Sequence, residues 1–427
     1  MALSDTGVIL ITAHYPFDRG EEFLESEIEH LAREFDEVII LPLSSRNDSE
    51  LTRSVPSNVH TVLPSPRVVS GRWRRDFLRF TFRHPLRLLF ALGSAARQFP
   101  RIDRVKSEFQ FAVTSDLLTA AISNELFSAM KQGRSYTIYA YWFHVQSAVG
   151  VKLHRQLNLP VVARGHRGDI YEQFSPLGYL PRRRQLIAEL DGLYAVSRQG
   201  ATHLKTVHPD YADRISVARL GVNSANNSQN SIQNPTVIVT CSRIVPVKRL
   251  TLAIAAIANL QQRGRGIRWV HLGGGVSEAF NQLHAHASRH LQPGSFSLVG
   301  ELSNQELREW YANHPATLFL NVSESEGVPV SIMEALAQGL PIIATDVGGT
   351  SELIAPEIGM FPGLLSSDPS PSEIADRIEH LLELSNEDYA AVSNASFLHW
   401  KSSWSAPRNY ARFAALLSDA ARPFHVT

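Results

Sequence analysis

Residues 323–354 read S-E-S-E-G-V-P-V-S-I-M-E-A-L-A-Q-G-L-P-I-I-A-T-D-V-G-G-T-S-E-L-I. The run before them, residues 316–322, is apolar and short enough for a buried strand. Gly327 and Pro329 then break the pattern. Val330, Met333, Leu336 and Ala337 recur at helical spacing and predict a helix over residues 330–338. Gly339 supplies the left-handed residue that ends such a helix, and Pro341 stops any continuation. A second apolar strand, residues 340–345, leads into Gly348 and Gly349. The stretch is strand, tight turn, helix, strand.

Two acids give this unit its chemistry. Glu326 falls in the turn at the carboxyl end of the first strand, where open α/β sheets bind ligands. Glu334 lies early in the helix, so both carboxylates can face one crevice. Backbone N–H groups at the helix start suit an anion, while carboxylates beside them suit neutral hydroxyls. Phosphate at one end and hydroxyls at the other describe a nucleotide-sugar. The bland alternative is a surface helix with two solvated glutamates.

Residues 326–334, E-G-V-P-V-S-I-M-E, resemble the Glu-x7-Glu motif of retaining nucleotide-sugar glycosyltransferases, family 4, which have the GT-B fold. The likeness continues through A-x-G-x-P-[IV]-[IV]-A-T-x-V-G-G, matched from Ala337 to Gly349. It implies an α/β chain with two Rossmann-like domains whose parallel sheets face across a cleft, and a C-terminal helix that crosses back. It also implies that Glu326 serves the transferred sugar and that Glu334, with Gly327, Val328, Val330 and Ser331, holds the donor.

Bulk composition agrees with such a chain. A length of 427 residues suggests two or three domains. Apolar residues at 44% and charged residues at 19% are ordinary for a soluble globular protein. Lys plus Arg equals Asp plus Glu, at 41 each, so no net field argues for nucleic acid or acidic substrates. The single cysteine, Cys241, excludes an internal disulfide and fits a reducing compartment. The first residues lack the basic and apolar regions of a signal peptide, and no uncharged apolar stretch reaches ~18 residues. The expectation is a cytoplasmic protein.

In the first half, residues 7–12, 21–35 and 37–43 read as strand, helix, strand, which predicts a parallel sheet with a right-handed crossover. The loop H-Y-P-F-D-R-G resembles the family's donor-and-acceptor loop, which often holds a glycine pair. Here only Gly20 is present, beside Asp18, Arg19, Glu21 and Glu22. Between Arg67 and Arg104 stand ten arginines against Asp76 and Asp103, interleaved with aromatic residues. Such a stretch reads as a surface for anionic lipid headgroups. The alternatives are a helix pair with solvated arginines and, well behind, nucleic acid. Residues 109–130 predict a long helix, 136–142 a strand and 145–157 a helix. In P-V-V-A-R-G-H-R-G-D-I-Y-E a strand should end at Ala163, placing His166 and Asp169 at its carboxyl end. The resemblance gives His166 contact with the donor sugar near the reacting carbon and leaves Arg164, Asp169 and Gly20 as acceptor-side candidates.

The second half restarts after the polar run 224–235, an interdomain linker. The expected division is 1–223, 224–235, 236–404 and a final helix at 405–427. Residues 236–242 predict a strand. Arg243 and Lys248 follow it, and by resemblance they grip the diphosphate. Fixed cations in a dry cleft stabilise charge on a departing nucleotide. Residues 267–272 run into Gly273, Gly274 and Gly275. This is no G-x-G-x-x-G fingerprint, so no nicotinamide cofactor is invoked; the glycines let backbone pass close to the nucleotide, at Gly274 above all. Glu301 and Leu302 stand where the family holds the base, and Ser303 with Glu306 predicts a capping box. His286 and His290 would share a helical face with no third ligand beside them, so no metal is assigned. In the tail, Trp400, Trp404, Tyr410, Phe413, Leu416 and Leu417 fit either a helix crossing back or the second domain's own core.

The resulting expectation is transfer of a hexosyl unit from a nucleoside-diphosphate sugar, such as a UDP-sugar or GDP-mannose, to an acceptor hydroxyl. By resemblance configuration is retained and no metal or other cofactor is required. H-R-G-D-I-Y-E and the opening loop resemble members that assemble bacterial exopolysaccharide or capsule. The acceptor is then a soluble or lipid-linked glycan, met at the inner face of the cytoplasmic membrane. Two other classes remain: a GT-B nucleotide-sugar isomerase of the 2-epimerase type, which needs acid/base groups on both sides of the sugar, and a non-catalytic sugar-nucleotide- or lipid-binding protein.

Overall fold

The computed structural model describes residues 5–18, 20–45, 53–65, 91–93, 95–96, 98–224, 230–354 and 361–421. The chain divides into two compact units, residues 1–219 with 409–427, and residues 220–408.

The first unit is a seven-stranded sheet: β1 (Thr6–Thr12), β2 (Glu37–Pro42), β3 (Val59–Thr61), β4 (Ser135–Ala140), β5 (Val161–Gly165), β6 (Gly192–Ala195) and β7 (Ile215–Val217), in the order β3-β2-β1-β4-β5-β6-β7. Every pairing is parallel. Helices cover both faces, so β1 is buried along its whole length, as sheets of this kind require. Strand order reverses between β1 and β4, which makes the carboxyl ends of those two strands the natural crevice.

Three expected boundaries move. The first helix is Leu24–Glu34 rather than 21–35, because Glu21 takes φ 58° and cannot be helical. The long helix begins earlier, at Ile102–Ala129. β5 continues two residues past Ala163, pairing Arg164 with Tyr194 and Gly165 with Ala195, so His166 follows the strand directly.

The second unit has six strands: β8 (Thr236–Cys241), β9 (Ile267–Leu272), β10 (Phe296–Gly300), β11 (Leu318–Asn321), β12 (Ile342–Thr345) and β13 (Leu364–Leu365). Their order is β10-β9-β8-β11-β12-β13, again all parallel. Here the order reverses between β8 and β11. The helix Val330–Ala337 follows the expected turn, and Gly339 closes it at φ 71°. Ser303 and Glu306 form the expected capping box. His286 and His290 lie on one face of the helix Ser277–His290, with ring centroids 4.2 Å apart.

The tail serves both units. Trp400 lies in the helix Asn386–Ser403 and donates its indole N–H to the Val222 carbonyl at 3.1 Å. The last helix, Ala406–Ala421, places Phe413, Ala414 and Leu417 in the core that holds Val8, Leu10, Leu24 and Ile28. Within the expected linker, residues 225–229 lie outside the described residues. Its described part is tied down: Ser224 Oγ donates to the Ala337 carbonyl at 2.9 Å. Of the arginine-rich stretch, residues 67–90, 94 and 97 lie outside the described residues. Its end is described: Phe99 and Ile102 are exposed, and Arg104 lies over the Tyr179 ring. No helix among the described residues is long and apolar enough to cross a membrane.

Candidate functional site

The carboxyl ends of β8 and β11 converge on one ion pair. After β8 the chain forms a single 3-10 turn, Pro246–Lys248, and Lys248 reaches Glu326 Oε1 at 2.6 Å. Both side chains are largely enclosed, at 21% and 9% exposure, so their charges interact with little screening. Asn321, the last residue of β11, offers its amide to the same oxygen at 3.4 Å and accepts the Ser323 N–H at 3.0 Å. Arg249 then locks the two loops: its guanidinium donates to the carbonyls of Val322 (2.7 Å) and Ser323 (3.2 Å) and pairs with Asp368 (2.9 Å). Arg243 stands exposed on the same loop as Lys248.

Glycines set the close approaches. A Cβ on Gly348 would stand 2.1 Å from the Glu326 carbonyl, and the residue holds φ 56°. Gly349 donates its N–H to the Gly327 carbonyl at 2.6 Å. The downstream glycine pair therefore moulds the Glu326–Gly327 turn. Gly273, at φ 126°, would collide with the Ser242 carbonyl if it carried a Cβ, and a Cβ on Gly274 would stand 3.0 Å from that of Glu301. Gly274 and Glu301 are thus brought beside the Arg243 loop, and Leu302 follows, half-buried.

Val328, Val330 and Ser331 are half-buried around the start of the helix Val330–Ala337. Glu334, in its second turn, is half-buried too. Lost hydration pushes its carboxyl up to about 7, against the opposing charge of Arg308. Its charge is felt by the buried Tyr311 hydroxyl and by Cys241, both held up chiefly by burial. The two glutamates of the motif therefore differ: Glu326 is met by a cation, while Glu334 is poised to gain or lose a proton.

In the first unit His166 is buried, and its backbone N–H donates to Asp169 Oδ1 at 2.5 Å. Asp169 Oδ2 accepts from the Phe143 N–H at 2.8 Å, so this carboxylate holds two loops together. Burial raises its pKa to about 7, opposed first by the Arg183 charge. Burial, and then the Arg164 charge, hold the His166 ring well below the usual range, leaving a neutral imidazole. Arg164 is fully enclosed and pairs with Glu27 at 2.6 Å. Gly20 sits at φ 101° with open space about it.

Sequence reasoning gave no role to Asn321, Arg249 or Glu21. The first two lie within a few residues of chosen positions and carry recognisable donor chemistry. The Arg249 partner Val322, however, is 73 positions away, a proximity that periodicity does not show.

Residues 223–397 match the family described as glycosyl transferases group 1. The chain is 25% identical over 221 residues to WcaL of Escherichia coli (strain K12), whose name places it in colanic acid biosynthesis, covering 50% of this chain and 53% of that protein. It is 30% identical over 152 residues to the amylovoran biosynthesis glycosyltransferase AmsK of Erwinia amylovora, covering 34% and 36% respectively. The chain thus spans about half, or less, of the length of these curated relatives. Among solved structures, HepE of Anabaena in complex with UDP superposes with a TM-score of 0.63 at 15% identity, over 97% of this chain and 100% of that one. Sucrose-phosphate synthase of Thermosynechococcus elongatus gives 0.68 at 15%, over 97% and 98%. The chain accordingly has the two-domain GT-B fold, and its residues 223–397 match the glycosyl transferases group 1 family.

Proposed function

We propose that this protein is a retaining glycosyltransferase, of the kind grouped as family 4, that moves a hexosyl unit from a nucleoside-diphosphate sugar to an acceptor hydroxyl in bacterial exopolysaccharide, capsule or glycolipid assembly. The observation that carries the reading is the enclosed Lys248–Glu326 pair at the β8/β11 switch point, beside the glycine-moulded turn and the half-buried Glu334. Lys248 and Arg243 stabilise the leaving diphosphate, without a metal ion. Glu326 holds the transferred sugar and Glu334 the ribose hydroxyls. Gly327, Val328, Val330, Ser331, Gly274, Glu301 and Leu302 line the donor. His166 contacts the sugar near the reacting carbon. Polysaccharide relatives support a glycan acceptor, and the arginines between Arg67 and Arg104 suit an anionic membrane at the cytoplasmic face, where a lipid-linked acceptor would be met.

The test is a panel of UDP- and GDP-sugars, screened for a rise in Tm and then followed for release of nucleotide and sugar. Slow hydrolysis, with transfer that keeps the anomeric configuration, is the expected result. Lys248→Ala should lower the rate by about 10²–10³. Glu334→Ala should weaken both bare nucleotide and donor, while Glu326→Ala should spare the nucleotide and lose turnover. Conversion of the sugar with the nucleotide still attached would identify an isomerase instead. Binding with neither reaction would identify a binding protein.

A further inference from the structure

The opening loop of the first unit holds a side chain that the donor chemistry leaves unused. Glu21 is buried at φ 58°, a conformation that a non-glycine residue keeps only when its surroundings enforce it. Its carboxylate accepts four N–H groups. Oε1 takes those of Ala13 (2.8 Å) and the Trp142 indole (2.5 Å); Oε2 takes those of His14 and Tyr15 (both 2.8 Å). A carboxylate offers about four acceptor positions, so all are filled.

These donors come from two places. Ala13, His14 and Tyr15 follow β1, and Trp142 lies just past β4, the two strands between which the order reverses. Glu21 therefore ties together both edges of that unit's crevice. The Trp142 ring in turn packs on His166, with centroids 4.4 Å apart, and Tyr141 packs on it at 4.9 Å. The His166 backbone is held by Asp169. The ring itself is packed by two aromatic neighbours, and of these the indole is the one tied to Glu21.

We propose that Glu21 is the positioning residue for His166, acting through Trp142. The proposal rests on the reading that His166 contacts the transferred sugar. The bond from the indole, at 2.5 Å, is the shortest of the four, so the indole is held together with the loop. A catalytic ring displaced by about 1 Å can lose roughly 10² in rate. Glu21→Gln keeps the volume but turns an NH2 group toward backbone donors, while Trp142→Phe keeps an aromatic ring and removes the indole N–H together with the second ring.

The experiment uses the full chain, with the indole N–H groups of tryptophan and the ring C–H groups of histidine isotopically labelled. Turnover is followed on whichever UDP- or GDP-sugar of the panel is hydrolysed. Glu21→Gln should move the Trp142 indole and His166 ring signals and lower kcat tenfold or more, with donor KM within about twofold of wild type. Trp142→Phe should move the His166 signal and lower kcat, and the double variant should lose less than the product of the two single losses. Should Glu21→Gln fail to fold, Trp142→Phe alone decides. The proposal is overturned if His166→Ala is inactive while the folded Glu21 and Trp142 variants keep wild-type kcat, whether or not the signals move. If His166→Ala itself turns over normally, the assignment of His166 to the sugar is what fails.

Discussion

Glu334 shows how one residue can carry a pH dependence. Its carboxyl is raised to about 7 by lost hydration, whereas in the unfolded chain it titrates near 4.5. Between these values the native protein holds a proton that the unfolded chain has released. That contribution to stability is therefore present at low pH and lost as pH rises through about 7. Ribose hydroxyls donate to the ionised form, so nucleotide binding near neutrality should expel the proton. Affinity for UDP or GDP should fall about tenfold between pH 8 and pH 6. Calorimetry in buffers of different ionisation enthalpy should record proton release at pH 7, and Glu334→Gln should flatten both effects; a profile that keeps its slope in that variant assigns the proton elsewhere. The Lys248–Glu326 contact joins two residues that the sequence had singled out, Glu326 by the spacing of its motif and Lys248 by resemblance. Glu21 was not legible in the sequence, since its four bonds depend on a backbone turn and on a tryptophan 121 positions away. Nor was the enclosure of Arg164, because a charged residue just past an expected strand end shows no burial until its partner, Glu27, is placed 137 positions away.

Among the elements, the turn between β11 and the helix Val330–Ala337 depends on the 3-10 segment Gly348–Glu352 that follows β12. Gly348 must combine a positive φ with a carbonyl where its Cβ would stand. Gly348→Ala should therefore displace the Glu326–Gly327 turn, cost about 2–3 kcal/mol by its strain and collision, and lower donor turnover far more than an alanine at the open Gly264. Thermal melting together with nucleotide-sugar hydrolysis checks this; equal behaviour of the two variants would rule out a moulding role. Element type was legible nearly throughout, because buried parallel strands and amphipathic helices alternate with clear punctuation. Boundaries were less so. The helix Ile102–Ala129 begins seven residues before its expected start at 109, since its exposed first turn lacks the apolar periodicity that marks the rest.

For the whole molecule, the ten arginines between Arg67 and Arg104 form the largest local charge imbalance singled out in a chain with equal numbers of acids and bases. Each arginine near an anionic bilayer adds about 1 kcal/mol, attenuated by salt within a Debye length of about 10 Å at 0.1 M. The protein should sediment with vesicles containing anionic lipid at low salt and stay in solution with neutral ones. Replacing Arg72, Arg74, Arg75 and Arg79 with glutamine should abolish that binding while leaving turnover on a soluble acceptor intact. A wild-type protein that ignores anionic vesicles would point to a soluble acceptor. Two doubly wound sheets were legible from the alternation of elements. The split of the tail was not, because one aromatic stripe serves two cores: Trp400 and Trp404 belong to the second unit, Tyr410, Phe413 and Leu417 to the first. That split bears on biosynthesis. A ribosome makes the strands of the first unit early, yet Phe413, Ala414 and Leu417, which pack on Val8 and Leu10, are added about 400 residues later. Residues 220–408 emerge in one piece in between. The half begun first is thus the last to be completed, and until then the nascent chain carries an unfilled apolar trough of the kind that chaperones hold.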